Sequence, residues 1–159
     1  MSGAAVDGRT EPLPFVDEHS ILVAAEPEEV WAALLGVVER SFSAPGARVI
    51  AGLLGCRDTQ AAGPRPLAPG SSCPGFHVAV AAGPSELGLF GRHRFSDYAL
   101  IFRLDRLEGG QTRLRAETRA EFPALKGRLY RALVIGSRGH VMVVRGLFAA
   151  TARRARALR

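Results

Sequence analysis

Between Thr112 and Phe122 the chain alternates without a break. Leu114, Ala116, Thr118, Ala120 and Phe122 fall on one side, and Arg113, Arg115, Glu117, Arg119 and Glu121 on the other. Alternation with a period of two is the mark of a strand whose one face is buried and whose other face is wet. A strand of a parallel sheet, covered on both faces, would be apolar throughout, so the sheet here is antiparallel. Its apolar face needs a cover, and that requirement governs the rest of the reading.

The partners of this strand lie upstream. Phe15 to Ala24 ends in a strand-type apolar run. Phe76 to Ala82 places Phe76, Val78 and Val80 on one face and is followed by a Gly83-Pro84 turn. Leu89 to Phe95 and Tyr98 to Leu104 form a hairpin if Ser96-Asp97 is its two-residue turn. That register pairs His93 with Leu100 and Gly91 with Phe102, so His93 faces inward and Arg92 and Arg94 outward. At Gly109-Gly110 a two-residue loop would set Leu104 against the wet Arg115. A three-residue loop over 109–111 pairs Leu104 with Ala116 and Phe102 with Thr118, and keeps one inner face.

The cover is at the end of the chain. From Pro123 to about Arg154 the spacing predicts one long helix. Leu125, Leu129, Ala132, Leu133, Gly136, His140, Val143, Val144 and Leu147 form its stripe, with Arg131, Arg138 and Arg145 opposite. A short helix follows the first strand in AEPEEVWAALLG, with Pro27 in its first turn and Gly36 as its stop. A second helical piece spans Val37 to Phe42, and Val49 to Leu54 reads as a strand. Arg57 to Gly75 holds four Pro and no aromatic residue, a long loop of the kind that is functional or mobile. The domain divides into a flexible arm, 1–14, a body, 15–152, and a basic tail, 153–159, with four Arg. The fold class is α+β: a curved antiparallel sheet of about six or seven strands around a long C-terminal helix, with one or two short helices after the first strand.

Composition removes several classes of function. Apolar residues make up 47% of the 159 and no apolar run is long enough to span a bilayer, so neither disorder nor membrane insertion is expected. No export signal opens the chain, which points to the cytoplasm. The net charge is +6, but Lys126 is the only Lys among 21 basic residues, an Arg bias that argues for no specific nucleic-acid partner. Cys56 and Cys73 form no CxxC and are expected reduced. His19, His77, His93 and His140 lack metal-ligand spacing, and neither a metal nor another cofactor is expected. Ser71-Ser72 lacks the GxSxG context of a nucleophile, and there is no phosphate-binding glycine loop and no HExxH.

The segment HSILVAAEPEEVWAAL resembles the opening of the START-like superfamily, also called SRPBCC or polyketide cyclase/lipid-transport-like. There the first strand ends in small residues and a Pro-initiated helix carries a Trp. GRHRFSDYALIF followed by RAETRAEFPALKGRLYRALVIGSRGH resembles an uncharacterised branch of that superfamily, and the likeness covers about residues 15–152. The resemblance implies a helix-grip fold with a cavity between sheet and helix for a hydrophobic or aromatic small molecule. It implies no single reaction, since members include carriers, sensors, cyclases and hydrolysis-type enzymes.

In that frame the lining from the sheet is Phe76, Gly91, Tyr98, Phe102 and Thr118, with small residues such as Gly91 leaving space. The lining from the helices is Trp31, Leu129, Leu133 and Gly136. His93 and His140 are the inward titratable groups and would serve as acid or base if the protein is an enzyme of cyclase or dehydratase type. The leading expectation is a carrier or sensor. Arg92 and Arg94 read as outer-face residues, Glu117 as part of a solvated charge ladder, and outer-face arginines leave room for a homodimer.

Overall fold

A computed structural model describes residues 12–134, 136 and 138–158. The chain runs β1 (Phe15–Val23), α1 (Pro27–Phe42), α2 (Pro45–Leu54), β2 (Ser72–Cys73), β3 (Phe76–Ala82), β4 (Glu86–His93), β5 (Ser96–Leu107), β6 (Gln111–Glu121), α3 (Ala124–Val134) and α4 (Gly139–Ala157). The six strands form one antiparallel sheet in the order β1-β6-β5-β4-β3-β2. The first eleven residues of the expected arm lie outside the described residues. At its end, Leu13 and Pro14 already bond to β6, through Arg119 Nη1 and the Ala120 N–H.

Both hairpins keep the expected faces but not the expected partners. The β4–β5 turn is Arg94-Phe95 rather than Ser96-Asp97, so His93 pairs with Ser96, Gly91 with Tyr98 and Leu89 with Leu100. The β5–β6 loop has three residues, but it is 108–110. Phe102 therefore opposes Ala116, and Leu100 opposes Thr118. Both displacements are by an even number of residues, and an even slip leaves every side chain on its own face.

Three expectations for the helices are corrected. Val49 to Leu54 is helix, the end of α2, because Pro45 opens a helical turn and Gly55, at φ 67°, closes it. Gly36 does not stop α1. Ala33, Leu34, Val37 and Val38 on either side of it are buried, which outweighs a glycine's cost of ~1 kcal/mol, and the Arg154 guanidinium of α4 packs 3.3 Å from where its Cβ would be. The C-terminal stretch is two helices. The break falls at Gly136 to Gly139, where two glycines weaken the helix and Arg138 takes φ 56°. The stretch read as a tail continues α4 to Ala157, with Ala155 fully buried.

The core lies between one end of the sheet, α1 and α4. Val23, Leu87, Leu89, Phe102 and Leu114 meet Val30 and Leu34 of α1 and Val144, Leu147 and Phe148 of α4. The 57–75 loop is pinned rather than loose: Leu67 sits in the core, and Arg65 bonds three of the loop's own carbonyls, the Ser72 carbonyl and Glu39. Ser71 is buried and structural, donating to the Pro64 carbonyl at 2.7 Å. On the outer face Glu117 is only 6% exposed, not solvated as expected, because Arg103 and Arg119 both close over its carboxylate. Burial raises its pKa, but the two guanidiniums outweigh that and hold it below the usual value.

Candidate functional site

The other end of the inner face is not sealed, and the polar groups gather there. Period two along β1 puts Asp17 and His19 on the face that carries Ile21 and Val23, and the register sets Asp17 opposite Thr118. The first turn of α4 brings in His140, whose Nε2 lies 2.6 Å from Asp17 Oδ2. His19 Nε2 reaches the same oxygen at 3.1 Å. Burial raises the Asp17 pKa, but the hydrogen bonds and charge of His140 and the bond from His19 win, and the carboxyl is held below its ordinary value. Three buried atoms here make no close hydrogen bond among the described residues: Asp17 Oδ1, His140 Nδ1 and Thr118 Oγ1, although Thr118 lies near enough to Asp17 to help lower its pKa. Each such atom costs free energy unless something else satisfies it.

With Asp17 accepting from Nε2, the neutral His140 carries its lone pair on Nδ1. That is the geometry of a carboxylate-oriented imidazole able to take a proton. Thr118 Oγ1 can donate or accept.

Two strands across the sheet, roughly 10 Å away at the usual strand spacing, stands an aromatic group. Phe76 meets Tyr98 edge-on at 5.2 Å, His93 meets Tyr130 of α3 edge-on at 4.8 Å, and Phe95 stacks on Tyr130 at 5.4 Å. Gly127 lets α3 come this close, since a Cβ there would fall 2.9 Å from the Phe95 carbonyl oxygen. His93 Nδ1 accepts the Phe95 N–H at 3.1 Å, so the neutral ring carries its proton on Nε2. Burial lowers its pKa, opposed only by the charge of Asp97. His93 is therefore built as a neutral donor rather than a base. The Tyr98 hydroxyl donates to the Gly75 carbonyl at 2.5 Å, and burial with the neighbouring Cys56 raises its pKa. It can offer a ligand only a lone pair.

The expected residues divide accordingly. Phe76, His93, Tyr98, Thr118 and His140 share the unsealed end of the inner face. Gly91 is there but leaves no space: a Cβ on it would lie 2.2 Å from the Gly75 carbonyl oxygen and 2.4 Å from the Tyr98 ring. Phe102 is fully buried in the core, and Trp31 lies over Gly83 in the β3–β4 turn. Leu129, Leu133 and Gly136 face solvent, the two leucines 75% and 70% exposed. The break between α3 and α4 is the reason, since it frees α3 from the stripe of α4. Asp17 and His19 were missed, although the alternation of FVDEHSILV already places both beside Ile21 and Val23.

Among the described residues no set of three His, Cys, Asp or Glu side chains is placed to hold a metal ion. Cys56 and Cys73 are free thiols whose pKa burial raises. A groove of about 400 Å³ between α2 and the 57–75 loop is lined by Pro45, Arg48, Val49, Thr59 and Gln60, and none of the inner-face polar groups borders it. Among the described residues no helix is long and apolar enough to cross a membrane.

No protein-family model matches the chain, and no curated protein matches it in sequence. Solved structures do match in fold. An aromatase/cyclase, Zhui, from Streptomyces sp. R1128 is 16% identical, with 90% of this chain and 94% of that one covered and a TM-score of 0.55. A protein from Thermus thermophilus is 18% identical over 89% of this chain and 97% of its own, with a TM-score of 0.52. With its six-stranded antiparallel sheet, two helices after the first strand and long C-terminal helix, the chain has a helix-grip fold, the same fold as the aromatase/cyclase Zhui.

Proposed function

We propose that the protein binds a hydrophobic or aromatic small molecule that carries an oxygen function, in the unsealed end of the grip between the inner sheet face, α3 and the start of α4. The observation that supports this reading is the set of three buried, unpaired polar atoms on Asp17, Thr118 and His140 facing an aromatic group on the same sheet. Apolar burial would supply the affinity, and the unpaired atoms would fix the orientation of the oxygen. The fold likeness to an aromatase/cyclase agrees with a ligand of this class.

The test is a titration with 2-naphthol and naphthalene, which differ only in the hydroxyl. The expected result is tighter binding of 2-naphthol by about tenfold, with the difference lost in Thr118→Val and Asp17→Asn, as fits one charge-assisted hydrogen bond of ~1.5 kcal/mol. Equal binding of both probes, or an unchanged preference in both variants, would overturn the reading.

A second reading is favoured by the Asp17–His140 contact of 2.6 Å. His140, oriented by Asp17, would take a proton from carbon and return it to a leaving hydroxyl, the chemistry of a cyclase or dehydratase. His140→Gln would then abolish turnover of such a substrate while preserving its binding. A carrier would show no turnover in either form.

A further inference from the structure

Helix α3 is built inside out. Leu125, Leu129 and Leu133 are 79%, 75% and 70% exposed, while Gly127 and Tyr130 form the side turned to the protein. At ~100° per residue the three leucines make a ridge about 80° wide, bordered by Lys126 on one side and Arg128 on the other. Met142 and Val143 in the first turn of α4 add exposed apolar surface at 74% and 50%. Nothing in the described residues covers this ridge.

The charge around it is one-sided. Nine of the 21 basic residues and none of the 15 acidic ones lie in 122–159, so that stretch is net +9 and the first 121 residues net −3. The outer-face arginines 92, 103, 115 and 119 are engaged with carboxylates, and Arg106 pairs with Glu26 and Glu28 at the start of α1. Lys126, Arg128, Arg131, Arg138 and Arg145 are exposed, and none of them forms an ion pair among the described residues.

We infer that α3 is a docking helix for an anionic membrane surface, with the leucine ridge set among the acyl chains and Lys126 and Arg128 reaching up to the headgroups. A leucine ridge flanked by long cations is the pattern of an interfacial helix: apolar burial and headgroup attraction act together there, and the cations snorkel to the polar level. A second copy of the chain fits poorly, because pairing through this face would set two strongly cationic surfaces against each other. The inference does not depend on what the grip binds. If the ligand reading is also right, the helix that flanks the unsealed end is the part that meets the lipid, and an apolar ligand passes between them without crossing water.

The test is co-sedimentation of the full chain with phosphatidylcholine vesicles, with and without phosphatidylserine. The expected result is binding to the phosphatidylserine vesicles, weakened by salt and by Lys126→Glu. Leu129→Glu should weaken it by tenfold or more, as loss of one buried leucine predicts. Leu125→Glu is the second variant, and circular dichroism of both establishes that they fold. Failure to bind, equal binding to vesicles of phosphatidylcholine alone, or Leu129→Glu and Leu125→Glu both binding like the parent would overturn the inference. Self-association that Leu129→Glu disperses would assign the ridge to a second copy and overturn it as well. None of these outcomes bears on the naphthol titration, so the two readings fail separately.

Discussion

Phe102, Leu114 and Ala116 stand on the same strands and the same face as Tyr98, Thr118 and Ala120, four residues away in each case. The first three have 0% exposure, while Tyr98 and Thr118 remain partly open. What differs is the cover. Over the sealed end lie α1 and the Val144, Leu147 and Phe148 side chains of α4. Over the other end lies α3, which meets the sheet through Gly127 and Tyr130 and turns its leucines away. The titratable groups Asp17, His93 and His140 are all at this second end. One sheet face thus serves two purposes: dense apolar packing holds the fold at one end, which leaves the other free to carry polar atoms whose hydrogen bonding is incomplete.

The comparison breaks most directly at Phe102. Phe102→Ala should cost ~3–5 kcal/mol in urea unfolding, the penalty of a cavity in dense packing. Gly91→Ala comes next. Its Cβ would press on the Gly75 carbonyl and the Tyr98 ring, and a cost of ~1–3 kcal/mol is expected from forced displacement, read in the same assay. Tyr98→Phe removes the hydrogen bond to Gly75 and should cost ~1 kcal/mol. If it cost as much as Phe102→Ala, the two ends would not differ in packing.

The smallest effect is in pH. Burial lowers the His93 pKa in the folded chain. Above the unfolded value of ~6.5 the ring is neutral in both states, so its contribution is fully present. As pH falls below that value the unfolded chain takes up a proton that the folded chain resists, and stability declines. Thermal melting followed from pH 7.5 to 5 (about the range of imidazole titration) should show the decline. His93→Gln should flatten part of it. An equal slope in the variant would remove His93 from the account.

The strands and their faces were legible because alternation is a local property, read without knowing any partner. The inward placement of His93, Tyr98 and Thr118 survived errors in both hairpin turns, because each slip was even. Val49 to Leu54 was read wrongly, since a short apolar run does not distinguish strand from helix and Pro45 lay outside the run. The Asp17–His140 contact joins residues 123 positions apart, and no local pattern marks such a pair.

The sequence by itself determined an antiparallel, one-sided sheet, a helix-grip order of elements and which strand residues face inward. The exception is β3, where a bulge between Val78 and Val80 turns Val80, expected on the face of Phe76 and Val78, to the outer side opposite Gly88. Periodicity and glycine or proline punctuation act over a few residues and leave their trace in the chain. Tertiary structure alone decided that the C-terminal cover is two helices, that α3 presents its leucines to solvent, and that Asp17 meets His140. These depend on the direction in which each helix leaves its neighbour. A weak segment such as Gly136 to Gly139 can redirect a whole helix without altering the spacing of the residues on either side.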